Sequence, residues 1–509
     1  MKKILMLCIG LLSMSYALSQ EISVEDAVQY SLDEIQGTAR FRAMSGAFGA
    51  LGGDMSSVNI NPAGSVIFNA SHTSFSLGVF DKSNNVNYFN TSVKSSQSSI
   101  NLNQFGAAFV FRNTNINSPW QKFALSMAYD RSADYDDDWV SSGTNPDTSI
   151  ADYFNTYANG LRLDQISALP GETISQAYAA IGSIYGFRNQ QAFLGYEGFI
   201  IDPENDTDEN TAYTSNINGS NFNQRYIYSS RGYNGKAAFN FATSYKDKLY
   251  LGANLNTHFI NYDRSTLLNE QNSNLVSSTV SNVYFENNLR TFGSGFSFQL
   301  GSIFKITEAL RIGLAYNSPT WFRISDETSQ ALTTTRIENG SSLTQVISPN
   351  VINIYQEYKL QTPSKITGSL AYVFGKKGLL SFDYAVKNFS NAEFSPTTDI
   401  IFSGINTDIN TNLDTAISFK AGGEYRLKQL SLRGGYRFEE SPYKDNITIG
   451  DLNGYSFGLG YSFGSLSLDF AYSQSKRDTN YQLYSVGLTN SAFVQSTLRD
   501  YTLTVAFSL

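Results

Sequence analysis

The chain has 509 residues, 36 Lys+Arg against 44 Asp+Glu, a formal net charge of −8 at pH 7 and one cysteine. This acidic balance excludes a nucleic-acid partner, whose phosphates demand the opposite sign, and a lone cysteine excludes a disulfide scaffold or a Cys-based metal centre. Aromatic residues make up 14% and charged residues only 16%, a balance that suits an exported β-rich protein better than a cytoplasmic enzyme.

The first stretch, "MKKILMLCIGLLSMSYALSQ", opens on Lys2 and Lys3 and continues through an apolar run over 4–18 to the small residues Ala17-Leu18-Ser19. This is the layout of a cleaved export signal, predicted over 1–19. The run is shorter than the roughly 20 residues a transmembrane helix needs, and Cys8 lies within it. A short helix is predicted over 23–35. Ser23 and Asp26 have capping-box spacing, Val24, Val28, Leu32 and Ile35 share a face, and Gly37 ends it.

"SGAFGALGGDMSSVNINPAGSVIF" follows, with glycines at 46, 49, 52, 53 and 64. It matches neither G-x-G-x-x-G nor a P-loop with its Lys-Ser/Thr, and no helix signal follows. A compact plug is therefore predicted in place of a phosphate cradle, its glycines allowing positive φ and close backbone approach. Pro62 fixes φ where plug gives way to wall. The expected division is signal 1–19, N-terminal hatch 20–70 and barrel 71–509.

From about Thr73 the apolar period becomes two. Fourteen strands are predicted, near 71–80, 102–112, 122–131, 234–245, 248–263, 290–305, 309–324, 364–374, 378–388, 414–427, 429–440, 453–463, 465–475 and 498–508. Tight turns at 246, 307, 375, 427 and 464, with a short link over 113–121, alternate with long polar links over 81–101, 132–233, 264–289, 325–363, 389–413, 441–452 and 476–497. Short turns on one rim and long loops on the other distinguish an up-and-down outer-membrane barrel from a soluble sandwich. An even count returns the C-terminus, "YTLTVAFSL", to the rim where the first strand begins. The predicted fold is an all-β, transmembrane, antiparallel barrel of about fourteen strands with a hatch in its lumen, since such a barrel is too wide for its own side chains to fill.

Within the presumptive hatch, "GTARFRAMSGAFGALGGDMSSVNINPAG" resembles the N-terminal hatch of the outer-membrane long-chain fatty-acid and hydrocarbon transporters, the FadL/TodX type. The matching positions are Gly37, Ala39, Arg40, Ser45, Gly46, Asp54 and Asn61-Pro62-Ala63. The resemblance implies a monomeric barrel in the outer membrane, plugged by a gating hatch. Apolar ligand is caught by extracellular loops, moves to a hydrophobic pocket inside and leaves sideways through a gap at a kinked strand. The larger size, the 100-residue third loop and the extra N-terminal helix depart from the pattern.

Within the long segment 132–233, Ile174, Tyr178, Ile181 and Tyr185 repeat at helical spacing, followed by Phe187 and Phe193. Tyr178, Ile181, Tyr185, Phe187 and Phe193 are candidates for ligand capture, the other reading being the loop's own core. Arg311, Asp383, Arg433, Arg437 and Asp469 are expected to face the lumen as structural pairs. The acidic runs at 134–139 and 202–210 are read as solvated loops, the other reading being Ca²⁺ binding at the cell surface. The second lacks the loop glycine and terminal glutamate of an EF-hand, and no metal or cofactor is expected. Only His72 and His258 are available for acid–base work, so no enzyme is expected. The expected function is passive, hatch-gated uptake of hydrophobic compounds, long-chain fatty acids foremost, with outer-membrane lipid as the surrounding partner. The alternatives are a general porin or a structural or adhesive barrel.

Overall fold

A computed structural model describes residues 22–115, 117–274, 279–338 and 340–508. The expected export signal, Cys8 included, lies outside the described residues. Fourteen wall strands alternate apolar side chains outward with polar ones inward: β1 (His72–Tyr88), β2 (Thr91–Arg112), β3 (Trp120–Asp134), β4 (Phe222–Tyr245), β5 (Leu249–Gln271) and β6 (Val280–Lys305) come first. Strand β7 runs as Leu310–Asn317 and Trp321–Glu338, and β8 as Tyr358–Gln361 and Lys365–Val373, each interrupted at a proline, Pro319 and Pro363. A proline cannot donate to a ladder, so both strands step there. Then come β9 (Gly378–Asn388), β10 (Thr415–Leu427), β11 (Leu430–Glu439), β12 (Leu452–Ser462), β13 (Leu466–Gln482) and β14 (Ser491–Ser508). Antiparallel pairing of β1 with β14, from His72↔Ser508 to Asn87↔Phe493, closes the barrel.

On the outer face of β1, Phe75, Leu77 and Val79 are exposed, and on β2 so are Ile100, Leu102, Phe105, Phe109 and Phe111. The β2 stretch, at about 3.3 Å per residue and a tilt of about 45°, matches an apolar band about 25 Å tall. Trp120 and Tyr245 pack edge to face, ring centroids 5.0 Å apart, at the short-turn rim, the position of an interfacial aromatic belt.

All fourteen predicted segments lie in wall strands, but several expected loops are ladder. Residues 81–101 continue β1 and β2 to a turn at Phe89 and Asn90, both with positive φ, and β5 and β6 likewise climb through much of 264–289. Ser, Asn and Thr occupy both faces there because these arms stand above the lipid in water, which erases the alternation that marks a strand. The N-terminal helix is also shorter than predicted: α1 spans Val24–Gln29. Ser23 N–H donates to Asp26 Oδ2 at 2.8 Å as the capping box requires, but residues 32–36 are irregular.

The hatch crosses the lumen at the short-turn end. Its helix α2 (Ala39–Ala43) is capped by Thr38, and a 3₁₀ turn at Pro62–Ile67 is capped by Asn61. Wall glycines make room for its backbone. A Cβ on Gly252 or Gly301 would strike Pro62 and Asn61, one on Gly313 would strike Gly49, and ones on Gly422, Gly435 and Gly458 would strike Met44, Ser45 and Ala43. Gly301→Val, whose Cβ would stand 2.0 Å from Asn61 Oδ1, is expected to unseat the plug while leaving the barrel closed. The check is faster trypsin cleavage within 37–66 together with retained heat-modifiable migration in gel electrophoresis.

Candidate functional site

Asp54 ties the two ends of the hatch together: it accepts from Thr38 Oγ1 at 2.8 Å and from Ser56 N–H at 2.9 Å. Burial raises its carboxyl above the ordinary value, opposed by the neighbouring Arg40. Arg40 Nε meets Glu424 of β10 at 2.9 Å, and Nη1 donates to the Gly53 carbonyl at 2.9 Å. Glu424 also receives Arg433 at 2.7 Å, and Arg433 reaches Asp469 at 2.5 Å. Arg42 pairs with Asp500 at 2.6 Å. On the opposite side Asn61 Nδ2 donates to the carbonyls of Gly49 and Ser302, and its Oδ1 accepts from Ala63 N–H.

The sequence-derived hatch residues thus fall into two anchors. Gly37, Arg40 and Asp54 stand on one flank, where Gly37 with φ +117° passes directly against Ser56. Asn61, Pro62 and Ala63 stand on the other, and Gly46 turns the chain after α2. The expected lumen pairs are present too: Arg433 with Asp469, and Asp383 accepting from the N–H groups of Phe48 and Gly49.

The wall is interrupted beside this plug. The ladder between β2 and β3 ends at Gln104↔Asp130, whereas β2 continues with β1 to Thr91. Beyond Asp134 the chain bends inward and pairs with β4 alone as Asp137–Asn145. Lys82 Nζ and Asn84 Nδ2 on the inner face of β1 donate to the Asp137 carboxylate at 2.7 and 2.6 Å, which places this strand inside the wall. Asn101 Nδ2 reaching Asp134 Oδ2 at 2.5 Å is a side-chain contact across the interval. The acidic run 134–139 is therefore committed to Arg131, Lys82 and Arg231.

Above the hatch a cavity of about 140 Å³ reaches from Arg131 and Ser132 at this interruption to Lys236, His258, Lys365, Lys387 and Lys420. It is polar, contrary to the apolar pocket expected of the lumen, and a separate cavity of about 180 Å³ lies below the hatch around Arg40, Asp54 and His72. Four lysines from β4, β8, β9 and β10 are brought together only by barrel closure. Lys365 and Lys387 hold Asp33 of the hatch segment at 2.9 and 3.5 Å. Lys236 and Lys420 have no ion-pair or hydrogen-bond partner among the described residues. Burial alone would push the Asp33 carboxyl up, but Lys365, Lys387 and Lys420 outweigh it and hold it well below the carboxylate range.

His258 Nε2 lies 2.8 Å from Ser297 Oγ, which also accepts from Asn256 Nδ2 at 3.1 Å. His72 contacts Ser508, while Ser74, two residues on, bonds Gln104, so the two do not pair.

The long loop folds into a cap of three helices, α3 (Ile150–Ala158), α4 (Ile174–Tyr185) and α5 (Phe187–Glu197). Tyr178, Ile181, Phe187 and Phe193 are buried in the cap's core, with Tyr178 donating to Gln330 Oε1 at 2.8 Å. Tyr185 is exposed. The helical spacing thus marks the loop's own core, and among these five residues only Tyr185 presents an open apolar face.

A sequence profile of the family described as outer membrane protein transport protein (OMPP1/FadL/TodX) matches residues 207–497. Among solved structures, a FadL homologue of Pseudomonas aeruginosa is 12% identical and aligns over 94% of this chain and 99% of its own, with a TM-score of 0.53. The Pseudomonas putida toluene transporter TodX is 13% identical over 94% and 100%, with a TM-score of 0.51. No curated protein matches the sequence.

Because the folded-state carboxyl of Asp33 is depressed, its bridge contributes fully above the unfolded value of about 3.9. That contribution is lost only as pH falls through the lower folded value. Hydrogen-exchange protection of residues 30–36, corrected for intrinsic rates, is expected to be equal at pH 7 and pH 5. In the cap, Tyr178→Ala is expected to cost about 3–5 kcal/mol, as for a large buried aromatic, read as earlier cleavage of 150–197 on heating.

Proposed function

Since this chain belongs to the outer-membrane protein transport family (OMPP1/FadL/TodX), we propose that it carries hydrophobic compounds, long-chain fatty acids foremost, passively from the cell surface into the lumen and sideways into the membrane. The observation that carries the choice of cargo is a cavity holding four lysines, Lys236, Lys365, Lys387 and Lys420, of which Lys236 and Lys420 make no direct ion-pair contact and face Asp130 and Glu439 only at longer range. A carboxylate head group satisfies such cations, whereas toluene, carried by TodX, is an uncharged ring that supplies no counter-charge and only the weaker cation–π attraction. In this reading the mature protein begins near residue 20, its plug extends to about residue 70, and it works as a monomer.

Two features support a lateral route. The hatch meets the wall on opposite sides, through Arg40 to Glu424 and Asn61 to Ser302, which favours a gated carrier over a general porin. The β2–β3 ladder stops where the cavity approaches the wall. A fatty acid leaving there enters hydrocarbon without returning its chain to water. Arg40, Asp54 and Asn61 act in this account as hinges of the gate, and Tyr185 as a contact at the mouth.

Expression in cells lacking their own outer-membrane fatty-acid uptake is expected to restore accumulation of radiolabelled oleate. Ser132→Trp, which fills the interruption, is expected to lower that rate at least severalfold. Equal rates in the two proteins, at equal surface abundance, would count against lateral release.

A further inference from the structure

This inference rests on the reading of the lumen as the passage of an amphipathic acid. Asp33 sits on the irregular segment between α1 and α2, and it is a carboxylate already seated between two lysines, 2.9 Å from Lys365 and 3.5 Å from Lys387. Lys387 also donates to the Ser31 carbonyl, fixing the same segment. Nearly half of the Asp33 side chain, 46%, stays open to the cavity, and Lys420, which makes no direct ion pair and faces Glu439 at longer range, stands beside it.

The space is small for a ligand. Sites for drug-sized molecules run to about 300–1,000 Å³, and the cavity here is about 140 Å³. All seven residues of the segment 30–36 line it, so room for an acyl chain appears when that segment leaves. The segment also holds the bend in β3: Glu34 Oε2 accepts from Asp134 N–H at 3.0 Å, and the Tyr30 ring packs edge-on against Tyr135 at 6.1 Å.

We propose that Asp33 occupies, as a tethered carboxylate, the head-group site of a monocarboxylic ligand, and that an entering fatty-acid carboxylate takes Lys365 and Lys387 in exchange for it. One carboxylate replaces another on the same cations, so the exchange alone is close to neutral, and Lys420 is placed to receive the surplus negative charge. The apolar area buried by the tail decides the outcome, which selects long chains over short ones. Departure of residues 30–36 releases Asp134 and Tyr135 at the end of the β2–β3 ladder, so head-group capture and opening of the side exit are one event.

The test measures binding of oleate and of uncharged oleyl alcohol to the full, delipidated protein in detergent, with folding verified by heat-modifiable migration. Asp33→Asn removes the competing charge and is expected to tighten oleate about tenfold, the order for one charge-assisted pair, leaving oleyl alcohol unchanged. Asp33→Ala is expected to do the same, and Lys365→Gln/Lys387→Gln to abolish the preference for the acid. In the wild type, oleate is expected to raise hydrogen exchange at residues 30–36, which in Asp33→Asn is already raised without ligand. Oleate affinity unchanged or weakened in both Asp33 variants overturns the exchange while leaving the transport reading intact. Failure of the wild type to bind either probe overturns both.

Discussion

A wall of fourteen strands encloses more space than its inward side chains can fill, and every feature of this protein answers that constraint. The lower lumen is filled by a separate piece of chain instead of longer side chains, and backbone can lie against wall only where the wall has no Cβ. Gly252, Gly301, Gly313, Gly422, Gly435 and Gly458 supply that relief around the circumference. The hatch is thereby shaped by absence of side chains in the strands as much as by its own glycines.

The plug is held by apolar packing, as of Phe41, Met44, Phe48 and Leu51 against Ala371 and Leu379, and by a set of buried polar contacts. Glu424 gathers Arg40, Arg433 and Arg426, and Asp383 collects two hatch N–H groups. Buried ion pairs of this kind add little net stability over an apolar packing, because desolvation offsets the attraction. Their merit here is exchangeability, since a charged pair can be handed from one partner to another where an interdigitated apolar core has to come apart as a unit. The largest apolar clusters lie elsewhere: in the cap, built on Tyr153, Phe154, Tyr178 and Phe193, and around Val28, Ile324, Phe394 and Ile409 where α1 meets the helix Ile400–Asn412.

The membrane-spanning half of the fold was legible because lipid on one side and polar lumen on the other force a period of two, as in "LLSFDYAVK", where Leu380, Phe382 and Tyr384 face out and Asp383 faces in. The upper arms were not, since at 81–101 both faces meet water and the pattern vanishes. Arg40, Asp54 and Asn61 were singled out by the resemblance of the hatch stretch to the FadL/TodX type, and their contacts to the wall and within the hatch appear only in the structure. Tyr178 and Ile181 showed helical spacing, but spacing does not say whether an apolar face covers ligand or its own loop, and the structure buries them. The lysine cavity was illegible in principle: Lys236, Lys365, Lys387 and Lys420 lie on four different strands, and only closure of the barrel makes them neighbours of Asp33. The sole trace in the sequence was Lys387 at a lumen-facing position of β9.

The central claim is that cargo leaves through the side of the barrel rather than through its base. Photocrosslinking with a diazirine-bearing fatty acid, using protein embedded in vesicles and mapping the adducts by mass spectrometry, tests it most directly. The account requires adducts in the lumen near Lys365 and Lys387 and at the interruption, on Asn101, Asn103, Ser132 or Tyr135, with none on Arg40, Asp54 or His72 below the hatch. Adducts concentrated on those residues below the hatch, with the interruption unlabelled, would contradict it.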